Sequence, residues 1–270
     1  MHEHGRLRVR RPWLPLAGVA LAVALVCAVA AWRPWTQTSA PVAAVDEPVA
    51  AAAPAALDVP DDASVLIFGD SWVYGSAAEV PTLGFAYRIA ENLGWDATVD
   101  GVRGSGYLKA GIDGPDYGTR IAALDPSLDL DLIIVEGSIN DRRLYPAGYR
   151  DAVVSAWDAL AALYPDAQIV ILGPAPQVLP VEKATARIDA DLAALAAARS
   201  WWYISPIEQE WITEANYLDV IDTGEIGRDH PSTDGHAYLA ERLAEALDGL
   251  SGAAEVVADA PTIDEADLTP

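Results

Sequence analysis

Ser71, Asn140 and His230 are the residues of this 270-residue chain whose types and surroundings could together carry out acyl transfer. Ser71 and Asn140 each follow an apolar run and a glycine, and His230 precedes a proline ahead of the last helical segment. A serine nucleophile needs a neighbouring base that takes its proton and donors that hold the oxyanion. Because the carboxyl ends of parallel strands gather at one edge of an α/β sheet, such groups could meet there. The pattern favours a serine hydrolase.

Each motif also has a purely structural interpretation. The Gly-Asp-Ser motif that ends at Ser71 could be an ordinary turn, since all three residue types form turns readily. The glycines of Gly101–Gly106 could bring backbone N–H groups close to an oxyanion, or could serve a loop that needs positive φ angles. The Asn140 amide could be a further oxyanion donor, an Asx turn or a helix N-cap, and Asp141 beside it fits capping.

The candidate base is one of four histidines. His2 and His4 lie before an apolar segment near the N-terminus, which leaves His230 and His236 for the body of the chain. Pro231 suits His230 to a rigid loop at the mouth of a helix, whereas His236 falls within that helix and is expected to pack or to face solvent. Two histidines without a cysteine do not form a convincing ligand set, so no metal site is expected.

Short apolar runs alternate with amphipathic segments over roughly 190 residues of the chain. Strands are predicted at Ser64–Phe68, Ala97–Val99, Leu130–Glu136, Gln168–Leu172 and Trp201–Ile204. Helices are predicted at Gly84–Leu93, Tyr117–Leu124, Ala147–Leu163, Lys183–Ala198 and Gly235–Leu247. This alternation predicts a parallel sheet that is covered by helices on both faces.

The charge of the chain is strongly negative and unevenly distributed. The formal net charge is -23, and five of the 17 basic residues lie in the first 33 positions. From residue 34 onward 12 basic residues face 39 acidic ones, a net charge of -27. Such a body is expected to repel nucleic acid and anionic lipid, which argues against a phosphate-binding role.

The N-terminal segment indicates export of the body. Residues 13–32 carry no charge and follow an arginine-rich start, and about 20 apolar residues can span a bilayer with the basic end inside. A cleaved signal peptide is the alternative, because Ala28-Val29-Ala30 offers a small-x-small site. The expected organisation is a cytoplasmic stub with an anchor or signal peptide over 1–35, an Ala/Pro-rich linker over 36–60, a hydrolase domain over 61–250 and an acidic disordered tail over 251–270.

Over residues 64–248 the chain resembles the GDSL/SGNH hydrolase superfamily. The motifs of the superfamily correspond to Phe68–Trp72, Gly101–Gly106, Gly137–Asp141 and His230-Pro231 followed by Asp234–His236. The third of these has one extra residue between its glycine and its asparagine. The order and spacing of all four motifs are much more specific than any one of them.

The resemblance implies a flavodoxin-like three-layer α/β/α sandwich with a central parallel sheet of about five strands. It also implies Ser71 as nucleophile, His230 as base, and an oxyanion hole made by the Ser71 N–H, the Gly104 N–H and the Asn140 side chain. No cofactor or metal is required for this chemistry.

The chain departs from the family at the third acid of the triad. The family commonly has an aspartate three residues before the catalytic histidine, and here that position is Gly227. Asp229 is the predicted substitute, with Asp222, Glu225 or a backbone carbonyl as alternatives. Because the acid orients the imidazole, its loss should weaken catalysis without removing the nucleophile and the base.

The predicted function is that of an extracytoplasmic serine esterase that cleaves small O-acyl esters, with acyl groups on glycans as the expected substrates. A lysophospholipase or thioesterase and an inactive surface binding module of the same fold are the alternatives. No nucleic acid or protein partner is expected, and membrane contact is expected only through the N-terminal segment. A sugar-stacking wall could be formed by Trp201, Trp202, Trp211 and Tyr217, although most are expected to pack in the core.

Overall fold

The centre of the fold is a five-stranded parallel sheet, seen in a computed structural model that describes residues 53–258. Its strands are β1 Ser64–Gly69, β2 Asp96–Gly101, β3 Leu132–Glu136, β4 Gln168–Leu172 and β5 Trp202–Ile204. They lie in the order β2-β1-β3-β4-β5. A short antiparallel pair, β6 (Ile221–Asp222) with β7 (His230–Pro231), was not expected from the sequence. The five predicted strands are all present, with small shifts of their bounds.

Helices follow the strands, as the alternation predicts. The α-helices are α1 Ser71–Tyr74, α2 Phe85–Leu93, α3 Tyr117–Ile121, α4 Tyr149–Leu163, α5 Lys183–Ala197, α6 Tyr217–Val220 and α7 Thr233–Ala258. Short 3-10 helices cover Pro81–Leu83 and Ile139–Arg143. The very short helix α1, which starts at the candidate nucleophile, has too few residues to show a helical period and was not predicted.

Alternate residues of the central strands face opposite sides of the sheet. On β1, Val65 and Ile67 pack in one hydrophobic cluster with α2 and α7, while Leu66 and Phe68 pack in a second cluster with α3, α4 and α5. Strands buried on both faces need continuous apolar sequence, which explains why β1, β3 and β4 show no polar alternation. Each buried aliphatic side chain contributes about 2 kcal/mol to folding. The predicted three-layer α/β/α sandwich is therefore confirmed.

The strand order places the candidate site. Strands β2 and β3 flank β1 on opposite sides, so the direction of chain winding reverses between β1 and β3. The crevice beyond the carboxyl ends of strands at such a reversal is the usual ligand site of an open α/β sheet. Ser71 follows β1 and Asn140 follows β3, so the topology brings these two motifs to the same crevice.

The ends of the domain differ from the prediction. The last residues of the expected linker pack on the domain: Leu57 is buried, its N–H donates to the Leu250 carbonyl at 3.2 Å, and the Trp202 indole donates to the Ala55 carbonyl at 2.9 Å. Helix α7 continues to Ala258, into the expected disordered tail, because alanine-rich sequence favours helix.

The predicted anchor or signal peptide, most of the linker and the end of the tail lie outside the described residues. Among residues 53–258, no helix has the length and apolar character needed to cross a membrane.

His236 joins the start of α7 to the start of α2. Its ring is fully buried, Nδ1 accepts the Phe85 N–H at 3.2 Å, and Nε2 lies 3.0 Å from the Ser76 carbonyl. This pair of contacts requires the neutral ring with its proton on Nε2. Burial accordingly lowers the pKa of His236 to about 4. The prediction that His236 packs rather than serves as base agrees with these contacts.

We expect the stability of the protein to fall in acid because of His236. A histidine whose pKa is depressed by folding contributes stability that is present above pH 6.5 and is lost as the pH falls toward 4. The loss for this one group should be about 3 kcal/mol. Urea unfolding of wild type and His236→Gln across this pH range measures the loss. The carboxylates titrate in both proteins, so the difference between the two pH profiles reports His236. Parallel pH profiles for the two proteins would contradict the assignment.

Candidate active site

Ser71 is held at the first residue of α1, directly after the central strand β1. Asp70 caps this helix, because its carboxylate accepts the Trp72 N–H at 2.9 Å. The chain therefore turns sharply from strand to helix, and Ser71, which is 5% exposed, lines a cleft. The first N–H groups of a helix have no intrahelical acceptor, so the Ser71 N–H is available to a ligand.

The candidate base reaches the candidate nucleophile. His230 Nε2 lies 2.9 Å from Ser71 Oγ, although the residues are 159 positions apart in sequence. His230 belongs to β7, which pairs with β6, and this pairing sets where the histidine lies. Within hydrogen-bond distance, an unprotonated Nε2 can take the serine proton.

Two backbone carbonyls orient the imidazole. His230 Nδ1 lies 2.9 Å from the Gly227 oxygen and 3.1 Å from the Arg228 oxygen. Carbonyl oxygens only accept hydrogen bonds, so the ring proton must be on Nδ1, and Nε2 carries the lone pair that faces Ser71. The residues that supply this turn, Arg228 and Asp229, adopt left-handed conformations with φ of 50° and 62°.

Asp229 therefore does not have the predicted place in the site. The Nδ1 atom, where a third acid would bind, is bonded to the carbonyls of Gly227 and Arg228 instead. Position 227 itself has no space for a side chain, because a Cβ there would collide with the side chain of Asp222. The Asp222 carboxylate in turn accepts the Gly224 N–H at 2.8 Å. Of the alternatives considered from the sequence, the structure shows the backbone carbonyl.

Backbone N–H groups on two loops face the cleft. Gly104 has a φ of 76°, a left-handed conformation that favours glycine, and it lines the cleft together with Ser71. Within residues 53–258, neither the Gly104 nor the Ser71 N–H donates a hydrogen bond to another protein group. Both N–H groups can therefore donate to a ligand without giving up an existing contact.

The Asn140 side chain is already bonded to protein acceptors. Its amide donates to the Asp70 carboxylate at 2.6 Å and to the Ser105 carbonyl at 3.0 Å. The extra residue before it is accommodated by two consecutive left-handed residues, Gly137 and Ser138, with φ of 89° and 81°. An amide has two N–H groups, so Asn140 can bind an oxyanion only by releasing one of these contacts.

A pair of buried carboxyl groups lies beneath Ser71, and the sequence did not reveal it. Asp70 is fully buried and Glu136, the last residue of β3, is 4% exposed. Glu136 accepts the Asp70 N–H at 3.3 Å. Burial, together with the nearby Asp70 charge, raises the pKa of Glu136 well above its usual range. Burial thus favours the uncharged form of Glu136, because a second buried charge beside Asp70 is costly.

Arg120 and Asp141 were not recognised as parts of the site by the sequence. Arg120 is buried and donates to the Gly69 carbonyl at 2.8 Å, to the Ser105 hydroxyl at 3.0 Å and to Asp100. Asp141 accepts the N–H groups of residues 107–109, so it holds the glycine loop rather than capping its own helix. An arginine in an amphipathic segment and an aspartate after an asparagine are too common to indicate these contacts.

The cleft over Ser71 has a volume of about 920 Å³ and is open to solvent. Of the long segment from residue 206 to 228, only residues 226–228 line it. The aromatic residues considered for a sugar-stacking wall do not: Trp201, Trp202, Trp211 and Tyr217 all lie elsewhere, and Trp211 is buried in the core. Trp201, Trp202 and Tyr217 are partly buried and pack against the hydrophobic clusters. Packing on the core, which was expected for most of the four, is therefore confirmed.

The sequence pattern of the GDSL-like lipase/acylhydrolase family matches residues 67–238, which is most of the chain. The chain belongs to this family. It is therefore a serine ester hydrolase by membership, and the resemblance inferred from the four motifs is confirmed. No curated protein matches the sequence closely enough to be counted as a relative.

Solved structures of this family share the fold. A GDSL-family lipolytic protein of Desulfitobacterium hafniense has a TM-score of 0.55 at 13% identity, covering 68% of this chain and 99% of its own. An aryl esterase of Mycobacterium smegmatis has a TM-score of 0.52 at 17% identity, covering 70% and 99%. A carbohydrate acetylesterase of Sinorhizobium meliloti has a TM-score of 0.52 at 17% identity, covering 70% and 100%. At these identities the likeness establishes the fold and leaves the substrate open.

We expect Asp229→Asn to keep kcat/KM for a small ester within about threefold of wild type, because the carboxylate does not contact the imidazole. Asparagine tolerates the left-handed conformation of this residue, so the backbone turn should be preserved. Loss of a true third acid costs about 10⁴-fold in kcat. Steady-state hydrolysis of 4-nitrophenyl acetate by the two proteins distinguishes these cases, and a loss near the larger figure would restore Asp229 to the triad.

We expect Glu136→Gln to be at least as stable as wild type at about pH 8, with a gain that grows from about pH 5 upward. A carboxyl whose pKa is raised by folding contributes stability that is present below its unfolded pKa and is lost as the pH rises. Glutamine keeps an acceptor for the Asp70 N–H and cannot ionise. Urea unfolding at both pH values measures the effect, with Glu91→Gln on the exposed surface of α2 as control. A variant that loses stability relative to wild type as the pH rises would show that Glu136 is ionised.

Proposed function

We propose that the protein hydrolyses small carboxylic esters with Ser71 as nucleophile and His230 as general base. The observation that carries the proposal is the contact of 2.9 Å between His230 Nε2 and Ser71 Oγ. The carbonyl contacts of Nδ1 support it, since they leave the lone pair of Nε2 facing the hydroxyl. A serine activated by an adjacent, oriented imidazole is the arrangement that acyl transfer requires.

In the proposed mechanism, Ser71 attacks the ester carbonyl while His230 takes the hydroxyl proton. The imidazolium then gives this proton to the leaving alcohol, and an acyl group remains on Ser71. A water molecule, deprotonated by the same histidine, releases the acid. The two carbonyls at Nδ1 stabilise the imidazolium through hydrogen bonds, but they lack the full negative charge of an aspartate.

The oxyanion would be held first by the N–H groups of Ser71 and Gly104. Asn140 can join them if one amide hydrogen moves from the Ser105 carbonyl to the negatively charged oxygen. A charged acceptor forms the stronger hydrogen bond, which favours this exchange in the transition state. Asp70 would keep the other amide hydrogen and so hold the side chain in place throughout the reaction.

The proposed substrates are small O-acyl esters, with acylated glycans as the leading class. The fold is shared with a carbohydrate acetylesterase and an aryl esterase, and the open cleft could admit an acylated sugar at its ester. Within residues 53–258, no tryptophan lines the cleft, so glycan recognition would depend on polar groups. A lysophospholipase or thioesterase activity is the alternative within the same chemistry.

We also propose that the catalytic domain acts outside the cytoplasm. The support is the uncharged segment 13–32 behind an arginine-rich start, which suits either a membrane anchor or a secretory signal. An anchored domain would act on esters near the cell surface, and a cleaved one would be released.

We expect Ser71→Ala to lower kcat/KM for 4-nitrophenyl acetate by about 10⁴-fold or more, since the nucleophile and base act as a unit. The same change should abolish labelling by a fluorophosphonate probe. Ser76→Ala is the matched control, because Ser76 also lines the cleft and lies outside the proposed machinery. A folded wild type that neither turns over nor labels would indicate the inactive binding module, which the missing aspartate at position 227 favours.

A further inference from the structure

The cleft gathers positive charge that the composition of the chain does not suggest. Of the 12 basic residues that follow residue 33, five line this one cleft. These cleft cations are Arg103, Lys109, Arg142, Arg143 and Arg228. Among residues 53–258, Asp229 is the one acidic residue that lines the cleft with them. In the same part of the chain acidic residues outnumber basic ones by more than three to one.

Two of the cleft cations have acidic partners. Arg103 pairs with Asp113 at 2.6 Å, and Arg142 pairs with Glu182 at 2.8 Å. The other three, Lys109, Arg143 and Arg228, are exposed and form no ion pair within residues 53–258. Three positive charges therefore line the cleft without an ion-pair partner among the described residues, and Asp229 is one negative charge in the same cleft.

The three unpaired cations come from different loops around the candidate nucleophile. Lys109 lies in the loop that follows β2 and Gly104, and Arg143 ends the 3-10 helix that carries Asn140. Arg228 lies two residues before His230. A ligand at Ser71 would therefore have positive charge near both the oxyanion side and the base side of the site.

Each of these loops also exposes a large apolar side chain at the cleft. Ile112 is 78% exposed, Leu144 is 49% exposed and Ile226 is 90% exposed. Apolar groups beside cations suit a ligand that has a hydrocarbon or ring portion as well as a negative charge. Because these residues surround a concave site, they suit a small molecule better than a flat membrane surface.

Like charges repel, so cations gathered in one cleft are unfavourable unless a ligand neutralises them. A cleft lined by one sign of charge also concentrates ligands of the opposite sign and speeds their association. The acidic remainder of the protein would repel the same ligands everywhere else, which directs them to this cleft.

We propose that the substrate is an anionic ester, one that carries a carboxylate or a similar negative group near its scissile bond. This proposal rests on the proposed esterase function and narrows it. Lys109, Arg143 and Arg228 bind the negative group, while the apolar rim contacts the rest of the molecule. A neutral ester of the same shape reaches Ser71 without that attraction.

Matched substrates test the charge on either side of the ester. For the alcohol side, 4-acetoxybenzoate is compared with neutral 4-acetoxybenzamide. In both compounds the second substituent is para to the acetoxy group, so it cannot attack the ester within the molecule. For the acyl side, the mono-4-nitrophenyl ester of adipic acid is compared with 4-nitrophenyl hexanoate. In at least one pair we expect kcat/KM to be about tenfold higher for the anionic ester at low salt, and the ratio to fall toward one in about 0.5 M NaCl as screening shortens the range of the charges.

Variants connect this preference to the cleft. The triple variant Lys109→Gln, Arg143→Gln and Arg228→Gln should reduce the ratio of anionic to neutral kcat/KM to about one at low salt. The control triple variant Arg150→Gln, Lys183→Gln and Arg199→Gln removes the same number of positive charges from residues outside the cleft. It should keep the wild-type ratio, which separates a local effect from the net charge of the protein.

The outcomes separate this proposal from the proposed function. Turnover of the neutral esters that depends on Ser71, with no anionic preference in either pair, would overturn the anionic proposal and leave the esterase intact. Absence of turnover and of fluorophosphonate labelling would overturn both. Equal kcat/KM for the anionic and neutral esters would also overturn it. Sedimentation of the full chain on phosphatidylglycerol vesicles that is lost in the triple variant Lys109→Gln, Arg143→Gln and Arg228→Gln would then indicate that these cations dock on a lipid surface.

Discussion

The Asp70 carboxylate connects the ends of the two central strands, and the geometry of the site depends on this connection. One oxygen caps α1 and so fixes Ser71, while the other accepts the Asn140 amide from the loop after β3. The two motifs thereby keep a constant separation, although Ser71 and Asn140 are 69 positions apart in sequence. Without this carboxylate, Asn140 would keep only its contact with the Ser105 carbonyl, and α1 would lose its N-terminal cap.

Burial of such a charge must be offset, and the surrounding residues do so together. A carboxylate removed from water costs several kcal/mol unless hydrogen bonds and opposite charges replace the solvent. The Trp72 N–H and the Asn140 amide supply hydrogen bonds to Asp70, and the nearby Arg120 lowers its pKa, as does His230. Burial remains the largest influence and raises the pKa of Asp70. Burial also raises the pKa of Glu136, and the charge of Asp70 adds to that rise.

The orientation of His230 shows how a backbone can substitute for a side chain. The left-handed residues Arg228 and Asp229 turn the chain so that two carbonyls point at Nδ1. They select the tautomer that an aspartate would select, because any acceptor at Nδ1 keeps the proton there. They supply less negative charge to the imidazolium than the carboxylate of a complete triad would supply.

Much of this protein follows from its sequence alone. Continuous apolar runs determine β1, β3 and β4, and amphipathic periods determine α2, α4 and α5, because burial on two faces or on one requires those patterns. The four motifs likewise identified Ser71, Asn140 and His230, which the fold brings to one crevice. The tertiary structure alone decided which polar groups meet there: Glu136 beneath Asp70, Arg120 against the Gly69 carbonyl, and carbonyls instead of Asp229 at the imidazole. It also decided that scattered cations converge on one cleft of an acidic protein. Such contacts depend on how separate loops approach in space, and no local pattern of residues encodes that distance.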